Sequence, residues 1–160
     1  MKIAVHAVGR MKAGPDKELA DRYLDRFAKS GPAIGLEFAG VIETPESRAQ
    51  AVNERKREEA QKLQAQLASG AALVLLDERG KNISSEDLAE RIGRLRDGGQ
   101  KNLVIAIGGP DGHDAALRER AELTLSFGAL TWPHQLVRIM LAEQLYRVAT
   151  ILSGHPYHRA

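Results

Sequence analysis

Apolar residues are spread along this chain as short runs alternating with amphipathic stretches, and the alternation continues from one end to the other. Ile3 to Val8 is a β-like run. From Pro15 onward Leu19, Tyr23, Leu24 and Phe27 share one face at helical spacing, with proline where a helix tolerates its missing N–H. Leu36 to Ile42 reads as a second strand. Thr44 and Pro45 read as a cap and a first helical position, which predicts a long charged helix to about Ser69. Ala72 to Leu76 and Leu103 to Ile107 are continuously apolar, as strands covered on both faces are. Between them Ser84, with Asp87 three residues on, predicts a capped helix start, with Leu88, Ile92 and Leu95 turned inward. A short helix over Ala115 to Ala121, a strand-like Leu123 to Phe127 and a closing helix from Pro133 to about Leu152 complete the series. Strands that alternate with helices predict one α/β domain over residues 1–160 with a mostly parallel sheet.

The closing helix carries a second message. Val137, Leu141, Leu145, Val148 and Leu152 form a core-facing stripe, while Leu136, Met140 and Ile151 fall on nearly the opposite side. A helix apolar on two sides needs a second partner, and a homodimer is the expected one.

Composition narrows the classes. The chain has no cysteine, which excludes disulfides, thiolate metal sites and a thiol nucleophile. No run approaches the roughly 20 apolar residues of a membrane span, and the first residues lack the apolar stretch of a signal peptide. A cytoplasmic setting without membrane contact is expected. The formal net charge is only +2, so any RNA substrate must be recognised by a local patch, a dimer surface or a preformed shape. Asn53 to Lys62 is rich in Glu, Arg and Lys and reads as a solvated face of alternating charge rather than an RNA-binding stripe.

Parallel α/β sheets bind ligands beyond the carboxyl ends of their strands, and three segments stand there. The first is Leu76 to Gly80. The second, Gly108-Gly109-Pro110-Asp111-Gly112, has neither the ending of a Walker loop nor the spacing of a dinucleotide fingerprint. It is either a purely structural turn or one whose glycines let backbone approach a flat ligand. The third, Ser126 to Pro133, leads small residues into a helix start, whose free N–H groups suit an anion or a nucleobase edge. It includes Trp132, the one Trp, a residue type more often found in a core. The tail Gly154-His155-Pro156-Tyr157-His158-Arg159 can be read as an unstructured end or a weak metal site, but its residue types fit RNA best.

Taken together, Ile107 to Gly112, Leu125 to His134, Leu136-Val137-Arg138, Glu143 to Arg147 and the terminal His155 to Arg159 resemble the large-subunit ribosomal RNA pseudouridine N3-methyltransferases of the SPOUT superfamily. Ala7-Val8-Gly9 and the overall length also fit, so the resemblance spans essentially the whole chain. It implies an α/β trefoil knot with helices on both faces of the sheet, the knot and cofactor loops lying at about 72–152 and an RNA-facing tail at 153–160. It implies S-adenosyl-L-methionine as cofactor, held mainly through main chain at Leu76, Gly109 and Gly128, Ala129, Leu130, Thr131, Trp132 and Pro133. It implies a homodimer, no metal, and as substrate a pseudouridine in 23S ribosomal RNA, methylated on assembled ribosomes. The tail residues Tyr157, His158 and Arg159 are then RNA contacts, and His155, His158 and Arg159 the candidates for handling the proton lost from the ring nitrogen. Three other readings stay open: a non-catalytic RNA-binding factor on the same fold, a SPOUT enzyme acting on transfer RNA, and a metal-dependent hydrolase built on His113, Asp114 and His134.

Overall fold

A computed structural model describes residues 1–159; Ala160, the final residue of the expected tail, lies outside the described residues. Five strands form one sheet: β1 (Lys2–Val8), β2 (Glu37–Thr44), β3 (Ala72–Lys81), β4 (Asn102–Ile107) and β5 (Leu123–Leu125). The order is β2-β1-β4-β3-β5 and every pairing is parallel. Five α-helices connect and cover them: α1 (Pro15–Ser30), α2 (Val52–Gln66), α3 (Ser85–Asp97), α4 (Ala115–Arg120) and α5 (His134–Ser153).

The period of two along each strand sorts the core into two layers. Register aligns Val5, Ile105, Val74 and Leu123 in one row and Ala7, Ile107, Leu76 and Leu125 in the next. These rows face α1, α3 and α5, through Leu24, Phe27, Leu88, Ile92, Leu141, Leu145 and Val148. The intervening residues, Leu73, Leu75, Val104 and Ala106, face α2 and α4 through Ala60, Leu63 and Leu117. Continuous apolar runs in β3 and β4 are therefore explained by helices on both faces. Ser84 caps α3 as expected, its hydroxyl accepting the Asp87 N–H at 3.0 Å.

Several boundaries differ from the sequence pattern. Thr44 ends β2, paired with Val8, and Pro45 does not open a helix. Residues 45–51 form a loop held by side chains of α2: Ser47 N–H donates to Glu59, and Arg55 donates to the Ala49 and Gln50 carbonyls. The helix begins only at Val52 and ends at Gln66. β3 runs on to Lys81 because its last residues turn alongside β5, with Lys81 opposite Leu125. In α5, Ile151, like Leu152 and Val137, packs against the edge of the core. The apolar surface left open lies at the start of the helix, on Leu136, at 41% exposure, together with Leu130 and Trp132 just before it.

One buried polar pair lies on the α2 side of the sheet. His6 is 1% exposed; its Nε2 lies 3.3 Å from Thr44 Oγ1 and its Nδ1 is without a partner among the described residues. Burial, then the neighbouring His113, lowers its pKa from 6.5 to about 4. The unfolded chain therefore binds a proton that the folded chain refuses between those values. Stability is full above about pH 6.5 and falls as pH drops toward 4, by on the order of 3 kcal/mol from His6 alone. Melting temperature should fall between about pH 7 and pH 5, with a flatter decline in His6→Gln. Identical acid limbs in the two proteins would contradict this assignment.

Candidate active site

Because β3, β4 and β5 are neighbours running the same way, the segments after them emerge side by side. They enclose a cleft of about 180 Å³. Leu76 to Arg79 form one side, Gly108 to Gly112 a second, and Phe127, Gly128 and Leu130 to Trp132 with His134 and Val137 the third. Of the residues expected to hold cofactor, Leu76, Gly109, Gly128, Leu130, Thr131 and Trp132 line this cleft, while Ala129 and Pro133 sit between lining residues without facing it. Trp132 is 37% exposed, so it is a wall residue and not core. It follows a tight turn at Gly128, whose φ of 113° favours glycine, and the Ser126 hydroxyl fastens that turn to the Gly128 N–H and carbonyl.

The glycine turn is bolted to β3 from below. His113 is buried with Nε2 3.0 Å from the Leu76 carbonyl. A carbonyl only accepts, so Nε2 carries the proton. Burial lowers the His113 pKa, outweighing the opposing field of Asp77. Asp77 Oδ1 accepts from the Arg79 N–H at 2.9 Å and its guanidinium at 3.2 Å, while Oδ2 is buried with no partner among the described residues. Burial raises the Asp77 carboxyl, but the Arg79 contacts outweigh it and hold it below the usual range. Asp111 is likewise paired with Arg55, which lowers its pKa. Two of the carboxylates lining the cleft are thus already matched by arginines.

The tail is placed elsewhere. Tyr157 hydroxyl donates to Glu143 Oε1 at 2.9 Å, its ring lies 4.7 Å from that of Tyr146, and the Arg147 guanidinium stands 4.9 Å above it. Burial, then the Glu143 carboxylate, pushes the Tyr157 phenol above its usual range, so it remains a proton donor. His158 bridges Arg147, at 3.2 Å from Nδ1, and Glu86, at 2.8 Å from Nε2. A guanidinium cannot accept, so Nδ1 is the bare nitrogen and Nε2 donates to Glu86. His155 Nδ1 accepts the Tyr157 N–H, and both His155 and Arg159 are exposed. These residues do not line the cleft of their own chain. Between lies a hollow of about 530 Å³ bordered by Tyr23, Ile83, Phe127, Met140 and Glu143, which shares Phe127 with the cleft and Glu143 with the tail.

Arg138, at the start of α5, donates to Glu43 Oε2 at 2.6 Å, and that same oxygen accepts the Met11 N–H at 2.8 Å. The loop after β1 is thereby tied to the helix that closes the site. His113 and Asp114 are both engaged in structural contacts, the latter capping α4 through the Ala116 N–H. Among the described residues no three His, Asp or Glu side chains converge to hold a metal, so the hydrolase arrangement is not assembled. Among the described residues no helix is long and apolar enough to cross a membrane.

Sequence reasoning missed Arg55 and Glu59, assigning both to a solvated face. Glu59 is buried at 5% exposure. The available signal was its position four residues before Leu63, on the same helix side as the core.

A family model described as "Predicted SPOUT methyltransferase" matches residues 1–158. The ribosomal RNA large subunit methyltransferase H of Mesorhizobium japonicum is 74% identical over 160 residues, covering all of both chains. The protein of the same name from Brucella anthropi is 65% identical, again over the whole of both. Among solved structures, the SpoU methyltransferase AviRb from Streptomyces viridochromogenes, in complex with AdoMet, matches 90% of this chain and 56% of its own. The identity is 14% and the TM-score 0.40. With its cleft at the ends of three adjacent strands, the chain belongs to the SPOUT methyltransferases and, among them, to the family of the large-subunit ribosomal RNA methyltransferase H proteins.

Proposed function

We propose that this protein transfers a methyl group from S-adenosylmethionine to N3 of a pseudouridine in 23S ribosomal RNA, acting in the cytoplasm on assembled ribosomes. The observation that carries the reading is the convergence of three main-chain-rich loops on one cleft. Apolar walls from Leu76, Ile107, Leu125 and Val137, with the backbone of Gly108, Gly109 and Gly128, suit the flat face and polar edge of an adenine. Glu78, within 3.4 Å of the Thr131 hydroxyl, offers a carboxylate to hydroxyl or ammonium groups. S-adenosylmethionine bound there supplies an electrophilic methyl on a positively charged sulfur.

That positive charge disappears as the methyl is transferred, so unpaired anions beside it would favour the starting state. Arg79 and Arg55 reduce this effect by pairing with Asp77 and Asp111. The chain otherwise contributes alignment, which is the larger part of such a transfer. The acceptor nitrogen must also lose a proton. His155, His158 and Arg159 are our candidates for taking it or for stabilising the anion, while Tyr157 and Arg159 hold RNA. Since the tail is fixed at a distance from its own cleft, a second copy completes the arrangement. A homodimer across Leu136, Met140 and the neighbouring hollow fits the apolar surface left open there. The trefoil knot belongs to the same reading.

Mass spectrometry of ribosomal RNA from cells lacking the protein should reveal one missing methyl on a pseudouridine, restored by complementation. Sedimentation at micromolar concentration should give a dimer. A methylation pattern unchanged by the deletion would end the proposal, and a fully active monomer would end its dimeric part.

A further inference from the structure

Gly109 borders the cleft, yet a side chain grown from it would not enter the cleft. A Cβ built there stands 2.7 Å from Glu59 Oε2, closer than a side-chain carbon approaches an oxygen, and a tight 3.2 Å from Glu59 Cδ and Oε1. The end of a glutamate is usually free to swing aside. This one is buried, and its Oε1 accepts the Ser47 N–H at 2.9 Å, so moving it would break that bond. Burial pushes the Glu59 carboxyl upward, and the Ser47 contact only partly offsets this. A buried carboxylate held by one N–H is a costly way to fill space, which directs attention to what stands on it.

One helical turn earlier on α2, Arg55 grips the other end of the same turn. Its Nε donates to Asp111 Oδ2 at 2.6 Å and its Nη2 to Oδ1 at 3.2 Å. A two-pronged pair fixes orientation as well as distance. Residues four apart lie on one helix side, so Arg55 and Glu59 meet Asp111 and Gly109 from a single element. The remaining Arg55 nitrogen donates to the Ala49 and Gln50 carbonyls, which fastens the 45–51 loop to the same support.

We propose that α2 is the backing of the cofactor cleft. Glu59 and Arg55 are positioning residues that set where the Gly108–Gly112 turn stands, and Gly109 is glycine because of the carboxylate behind it rather than because of a ligand in front. This rests on the reading that the cleft takes S-adenosylmethionine. Glu59 does not line that cleft, so it acts only through the turn.

A double-mutant cycle with Gly109→Ala and Glu59→Ala tests this, reading S-adenosylmethionine affinity by calorimetry and kcat and KM in methyl transfer to ribosomes. Gly109→Ala should weaken cofactor binding at least about tenfold in the native background but less than about threefold when Glu59 is already Ala, a coupling expected only of residues in contact. The loss should fall on KM for the cofactor, leaving kcat at saturation within about twofold. Equal losses in both backgrounds would mean that the glycine faces the ligand; the proposal fails while the cofactor reading stands. No binding by the unmodified protein would sink both. Should Gly109→Ala not fold, Glu59→Ala alone decides: a raised KM at constant kcat supports the backing role, and an unchanged KM overturns it.

Discussion

Removal of the last four residues, from Tyr157 onward, is expected to leave a folded protein that binds cofactor normally and hardly methylates ribosomes. Little of the fold depends on them. Tyr157 gives up one hydrogen bond to Glu143, worth about 1.5–3 kcal/mol with a charged partner, and its ring contacts with Tyr146 and Arg147. His158 gives up surface bonds to Arg147 and Glu86. Glu143 keeps its ion pair with Arg147 at 2.6 Å, so no buried charge is stranded. The cleft is built without the tail, so cofactor affinity should change by less than about twofold. Catalysis is different if these residues face RNA. A stacking plane contributes about 1–3 kcal/mol per base, and about 1.4 kcal/mol is a factor of ten. Loss of Tyr157 and Arg159 together should therefore lower kcat/KM for ribosomes by about a hundredfold or more. Parallel loss of melting temperature and cofactor affinity would identify the tail as a structural cap. Near-normal methylation would remove both roles.

Gly80→Ala is expected to destabilise the fold and weaken the cleft together. A Cβ at Gly80 would lie 2.7 Å from the Thr124 oxygen and the Leu125 carbonyl carbon, and 2.8 Å from the Thr124 carbonyl carbon. All three are backbone atoms of the neighbouring strand, so nothing nearby can swing away. The same passage is secured by Ser126 N–H to the Lys81 carbonyl at 2.9 Å and the Ser126 hydroxyl to the Glu78 carbonyl at 3.2 Å. Forcing the two segments apart should cost about 3 kcal/mol, the upper part of the range for overpacking. For a chain of this size that lowers the melting temperature by roughly 6–12 °C. Cofactor binding should weaken too, because Glu78 and Phe127 stand on opposite sides of the displaced passage and both line the cleft. Calorimetric scanning checks the first effect and titration the second; a native melting temperature would contradict the packing described.

The fold was legible wherever periodicity and burial agree. The apolar runs at Ala72–Leu76 and Leu103–Ile107 announced doubly covered strands, and Pro15 marked a helix start that the structure keeps. Thr44-Pro45 misled because a local cap pattern competes with strand pairing, and Thr44 is held by Val8. The three loops of the cleft were legible as segments following strands. Their supports were not. Arg55 and Glu59 meet residues about fifty positions later in the chain; only the four-residue spacing to Leu63 marks Glu59 as inward, and nothing local marks Arg55. Trp132, a residue type more often core, lines the cleft as the resemblance implied, and its wall position depends on tertiary placement that no local pattern reveals.

The strand order also sets a timetable. β1 and β4 are paired in the middle of the sheet, while β5 and α5 are made last and complete both the cleft and the core face shared with α1 and α3. A nascent chain translated as far as β4 leaves Val5, Phe27, Ile92 and Ile105 without the helix that covers them. Such long-range closure is slow compared with local helix formation. The cleft and the core face are therefore completed only once the residues of α5 have left the translating ribosome and folded back onto the first helix.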